Sequence, residues 1–128
     1  MVRTLLWRAM AEALETIAVT LDEHIWERYR TEVVPALIAA DAERLEGLRN
    51  SGYGFADGIP GEGLEKPCLF VAGRQDDSTG YRELYDILEC YPHATFAVLD
   101  GAGHNLQIEK DQVFSVLVQE WLDRVLET

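Results

Sequence analysis

Hydrophobic residues recur at helical spacing through the first fifty positions. Leu6, Met10, Leu14 and Ile17 form one stripe, and Ile25, Tyr29 and Val33 form a second after a break near residue 20. Thr20 and Glu23 make a T-x-x-E capping box that predicts the start of the second helix. Pro35 ends or kinks that helix, and Asp41 caps a further one bearing Leu45 and Leu48. Residues 50–63 (NSGYGFADGIPGEG) hold five of the ten glycines, which predicts a loop or linker. Beyond Pro67 the pattern changes. Residues 68–72 (CLFVA) and 95–99 (TFAVL) are short unbroken apolar runs, as in strands buried on both faces of a parallel sheet. Tyr81, Leu84, Tyr85 and Leu88 predict a helix between them over about residues 80–90. Phe114, Leu117, Trp121 and Val125, widened by Val113 and Leu122, predict a last helix from about Asp111. The expected fold class is α/β. A helical, cap-like layer covers residues 1–50 and a glycine-rich linker residues 51–65, before a strand–helix–strand–helix unit with parallel strands and a right-handed crossover over residues 66–128.

Charge narrows the partners. Eleven Lys and Arg against twenty-three Asp and Glu leave a net charge of −12, which repels phosphate backbones and anionic lipid, so neither nucleic acid nor a membrane is expected as a partner. The N-terminal segment mixes Arg3, Arg8, Glu12 and Glu15 into its apolar pattern and reads as an amphipathic helix, not a signal peptide. Cys68 and Cys90 match no metal spacing and are too few for a disulfide framework, so a reduced, cytoplasmic protein is expected.

Two loops carry candidate chemistry. The first apolar run leads into GRQDDSTG, which places Asp76 and Asp77 just past the carboxyl end of a buried strand, where open α/β sheets form their ligand crevices. The second leads into DGAGHNLQIE, where Gly101 and Gly103 permit a tight turn that presents His104 at the same edge. A carboxylate that accepts a hydrogen bond from one imidazole nitrogen fixes the tautomer and supports the charge formed when the other nitrogen takes a proton. The plainer reading makes Asp76 a helix cap or solvated acid and His104 a loop histidine. His24 and His93 are expected to face solvent. Trp7, Trp26, Tyr29, Tyr53 and Phe55 line either a pocket or, more ordinarily, a core.

From Lys66 onward the chain resembles the end of the α/β-hydrolase fold. KPCLFVAGRQD looks like its penultimate strand and acid, and FAVLDGAGH like its last strand and catalytic histidine. The resemblance implies a partial α/β-hydrolase fold in which residues 1–65 correspond loosely to a helical cap. It implies Asp76 as the catalytic acid, with Asp77 as fallback, and His104 as the base. It also implies hydrolysis of a small ester, amide or activated carbon–carbon bond. The chain departs from the family in having no G-x-S-x-G elbow. Ser51, Ser78 and Ser115 do not sit at a strand-to-helix elbow, so the nucleophile and oxyanion hole must come from elsewhere, and the isolated chain is expected to be nearly inert. The segment after Gly101 lacks the third glycine of a dinucleotide fingerprint, and no cofactor is expected. A rival reading makes the chain a non-catalytic remnant serving as an interaction or oligomerisation module, paired with a second copy or a complementary chain. A third gathers Asp76, Asp77, Asp100 and His104 around a metal.

Overall fold

A computed structural model describes residues 2–52 and 63–127. Helix α1 (Val2–Ile17) carries Leu14, which is fully buried, with Met10 and Ile17 partly buried against the same cluster. Helix α2 (Glu23–Glu32) starts from a different cap than the sequence predicts. Asp22 is extended and its carboxylate accepts from the Ile25 amide at 2.8 Å. The Thr20 amide, which Glu23 would have to hold in a capping box, donates instead to Glu109 at 3.0 Å, so a tertiary bond overrides the local one. Helix α3 (Val34–Ala39) opens with Pro35 in its first turn, where a missing N–H costs nothing, and α2 ends just before it. Asp41 caps α4 (Ala42–Ser51) as expected, accepting from the Arg44 amide at 3.0 Å. No α4 side chain is buried.

The two apolar runs form strands β1 (Cys68–Gly73) and β2 (Ala94–Leu99). They pair in parallel, with Cys68 opposite Ala94 and Gly73 opposite Leu99. The crossover helix is shorter than the periodicity suggests. Helix α5 (Arg82–Asp86) is followed by a 3-10 turn (Leu88–Cys90), in which the Cys90 amide bonds to the Ile87 carbonyl at 3.0 Å. Side chains alternate across the sheet. On one face Leu69 and Val71 meet Phe114, Val118 and Trp121 of α7 (Asp111–Leu126) around a cavity of about 320 Å³. On the other, Phe70 meets the ring of Tyr91 edge-on at 5.1 Å, and Phe96 lies 6.2 Å from Tyr85. Trp121 Nε1 donates to the Pro67 carbonyl at 2.9 Å, and Arg124 donates to Thr95 Oγ1 at 2.7 Å, fixing α7 to the amino ends of the strands.

The best-buried cluster lies away from the strands. Leu14, Ile25, Tyr29 and Val34 of the helical layer close around Ile108 of α6 (Leu106–Glu109), and Trp26 stacks on Tyr29 at 6.3 Å. A fully buried aliphatic side chain of this kind contributes roughly 1.5–3 kcal/mol. The core therefore joins the helical layer directly to the segment that follows His104. By contrast α7 has no fully buried side chain, because a two-stranded sheet offers a sixteen-residue helix too little apolar surface.

Candidate active site at the carboxyl ends of the strands

Parallel pairing brings both strand ends to one edge, and several bonds hold the loops beyond them together. The Arg74 amide donates to the Leu99 carbonyl at 2.9 Å and the Gln75 amide to the Ala102 carbonyl at 3.1 Å. The Gln75 side chain completes the clamp. Its Oε1 accepts from the amides of Gly101 (2.9 Å) and Ala102 (3.3 Å), and its Nε2 donates to Asp100 Oδ1 at 2.7 Å. That bond from Gln75 is the main reason the Asp100 carboxyl sits below its ordinary range. Gly101 turns the chain at φ +66°. Gly103 is not needed for a turn; a Cβ there would come within 2.3 Å of the Ile17 carbonyl oxygen, so its reason is close approach.

Within this frame Asp76 and His104 meet. Asp76 Oδ2 lies 3.2 Å from His104 Nδ1, the upper end of hydrogen-bond range, with the carboxylate side chain 7% exposed and the imidazole 44% exposed. Asp76 also organises its own loop, accepting from the amides of Ser78 (2.8 Å) and Thr79 (3.3 Å) and from Thr79 Oγ1 (2.7 Å). Partial burial pushes its carboxyl upward. The bonds from Thr79 Oγ1, the Ser78 amide, His104 and the Thr79 amide outweigh that push and hold the pKa below the ordinary 3.8. One carboxylate thus both meets the histidine and orders the turn of residues 76–79; it caps no helix, since α5 begins at Arg82 with Tyr81 before it. His104 Nε2 has no partner among the described residues and lies on a half-exposed ring, open to a proton donor from outside.

The loop bearing His104 is also held from the helical side. The His104 amide donates to the Ile17 carbonyl at 3.3 Å, and the Glu109 carboxyl accepts from the backbone amides of Val19, Thr20 and Gly103. Asn105 is buried beside it, and its Nδ2 has no hydrogen-bond partner among the described residues.

Other candidates separate from this centre. Asp77 is exposed and its side chain makes no hydrogen bond among the described residues, so Asp76, not the fallback acid, meets the histidine. The metal grouping of Asp76, Asp77, Asp100 and His104 does not assemble. No set of three His, Cys, Asp or Glu residues able to hold an ion occurs among the described residues, and Asp100 is engaged by Gln75. Cys68 and Cys90 lie toward the amino end of the sheet, a strand length of roughly 17 Å from His104. Ser51 and Ser115 are within helices. His24 is exposed as expected, but its Nε2 lies 3.2 Å from Asp111 Oδ2, pinning α2 to the start of α7; His93 is exposed. Trp26 and Tyr29 belong to the core, whereas the Trp7 side chain, Tyr53, Phe55 and most of the glycine-rich linker fall outside the described residues.

Sequence reasoning passed over Gln75 and Glu109. Nothing in the pattern marks Gln75. Glu109 did leave a signal: it stands three residues after Leu106 on the same side of a helical turn, and an acid on an apolar face has to find donors. No helix among the described residues is long and apolar enough to cross a membrane. No family model, curated protein or solved structure matches the chain.

Proposed function

We propose that this chain supplies the acid and base of an α/β-hydrolase-type site, with the nucleophile contributed by polypeptide outside this sequence. The observation that carries the reading is the 3.2 Å approach of Asp76 Oδ2 to His104 Nδ1 at the carboxyl ends of adjacent parallel strands. On this reading β1, β2 and α7 are the closing elements of a partial α/β-hydrolase fold and the N-terminal helices its cap. His104 Nε2 takes the proton of the attacking hydroxyl or thiol as the nucleophile bonds to the substrate carbonyl. Asp76 supports the imidazolium, and the proton then passes to the departing alcohol, amine or carbanion. The substrate is a small ester, amide or activated carbon–carbon bond. On this reading the nucleophile and oxyanion donors come from outside the chain, so the chain alone should hydrolyse p-nitrophenyl acetate no faster than its His104→Ala variant. Co-expression with the amino-terminal half of a serine hydrolase of this fold, lacking its own acid and histidine, should restore turnover. That turnover should vanish with His104→Ala and fall with Asp76→Asn. Restored turnover that survives His104→Ala would contradict the assignment.

A second reading draws on a different observation. Strand β1 has β2 as its one strand neighbour among the described residues, so its other edge carries unpaired amides and carbonyls. Leu37, Ile38, Leu45 and Leu48 of the helical layer are each about half exposed. A non-catalytic module that pairs with a second copy or a complementary chain would use such surfaces.

A further inference from the structure

We infer that Glu109 is a positioning residue that fastens the end of α1 to the His104 loop, so that the helical layer and the imidazole are ordered as one unit. The inference rests on the role proposed above for His104. Glu109 is 9% exposed and comes from α6, and its two carboxyl oxygens divide their work between two distant segments. Oε1 accepts from the amides of Val19 and Thr20, which lie in the connection between α1 and α2. Oε2 accepts from the amide of Gly103, the residue before His104. The reverse bond is present too: the His104 amide donates to the carbonyl of Ile17, the last residue of α1, one of the carbonyls that a helix end leaves without an internal partner. Each segment therefore satisfies the buried or terminal polar groups of the other. Gly103 lets them touch, since any side chain there would strike the Ile17 carbonyl.

Packing alone cannot aim the ring, because it is 44% exposed. Asp76 holds Nδ1, and the backbone that carries the ring to Asp76 is held by Glu109 through Gly103 and by Ile17 through the His104 amide. The N-terminal helices are on this view part of the wall that holds the base, and residues 17–20 do not move independently of it.

Glu109→Gln keeps the shape of the side chain but replaces one oxygen by an NH2 group. Whichever way the amide turns, a donor faces either the Gly103 amide or the Val19 and Thr20 amides, and one segment is released. Two measurements on the full chain follow this. Amide hydrogen exchange should accelerate at least tenfold at Gly103 or at Val19 and Thr20, with far-UV and near-UV circular dichroism retained. Imidazole nitrogen NMR at alkaline pH should show His104 losing its Nδ1–H tautomer, although Asp76 is untouched. Unchanged exchange overturns the fastening, and faster exchange with an unchanged tautomer overturns the positioning role. If the variant does not fold, native-state exchange of the unaltered chain decides. Val19, Thr20, Gly103 and His104 should open together, and opening of Val19 and Thr20 tenfold more often than Gly103 and His104 refutes the unit. If the unaltered chain already lacks the Nδ1–H tautomer, the proposed role of His104 falls, while the exchange data still judge the fastening.

Discussion

The bond between Asp76 and His104 should add little to stability, even though Asp76 itself adds much. Asp76 accepts four hydrogen bonds, three of them from Ser78 and Thr79 in its own loop and one from His104. A net contribution of about 1 kcal/mol for each local bond, somewhat more where the acceptor is charged, puts the cost of Asp76→Ala at about 2–4 kcal/mol. That is a large share of the roughly 5–15 kcal/mol typical of a folded domain. The His104 ring is 44% exposed and its bond is long at 3.2 Å, so solvent screens it, and His104→Ala should cost only about 0.5–1 kcal/mol. A double-mutant cycle built on these two changes should give a coupling energy of about 0.5–1 kcal/mol, read from urea unfolding followed by tryptophan fluorescence. The site then spends the pair on orientation. A coupling above about 2 kcal/mol, or an Asp76→Ala cost no greater than that of His104→Ala, would refute this division of roles.

Acid should destabilise the fold through Asp76. Its folded pKa lies below the ordinary 3.8, so its contribution is complete above that value and is lost as pH falls through the folded pKa; urea midpoints between pH 6 and pH 2 should fall less steeply in Asp76→Asn, and an equal or steeper fall would contradict the hydrogen-bonded carboxylate. In the core, Leu14→Ala and Ile108→Ala, at 0% and 2% exposure, should each cost about 2–5 kcal/mol, whereas Leu45→Ala, at 48%, should stay within about 0.5 kcal/mol in the same unfolding assay. Light scattering at micromolar concentration should show a dimer or larger species, favoured by added salt that screens the net charge of −12. A strict monomer across salt and concentration would count against the interaction-module reading.

The features readable in advance were those set by local pattern. Two apolar runs of strand length joined by a helical crossover over residues 74–93 left parallel pairing as the economical arrangement, and the strands pair so, from Cys68–Ala94 to Gly73–Leu99. Asp41 caps α4 because nothing competes for the Arg44 amide. The capping box at Thr20 and Glu23 was equally clear in sequence yet does not form, since Glu109, 89 residues away, takes the Thr20 amide and leaves Asp22 to cap α2. Tertiary contact hid the support of the site in the same way. Asp76 and His104 stand at strand ends that the pattern locates, but Gln75 and Glu109 act through backbone amides on other segments, which no spacing encodes. The sequence predicts a tight turn at both Gly101 and Gly103, whereas the contact of Gly103 with Ile17 depends on where α1 packs.

The orientation of His104 by Asp76 is tested most directly by nitrogen NMR of the neutral imidazole in the 128-residue chain. With Asp76 Oδ2 accepting from Nδ1, His104 should be found as the Nδ1–H tautomer with Nε2 unprotonated and free to take a proton, and Asp76→Asn should abolish that preference. A His104 that carries its proton on Nε2 in the unaltered chain, or a tautomer indifferent to Asp76→Asn, would contradict the assignment of Asp76 and His104 as acid and base.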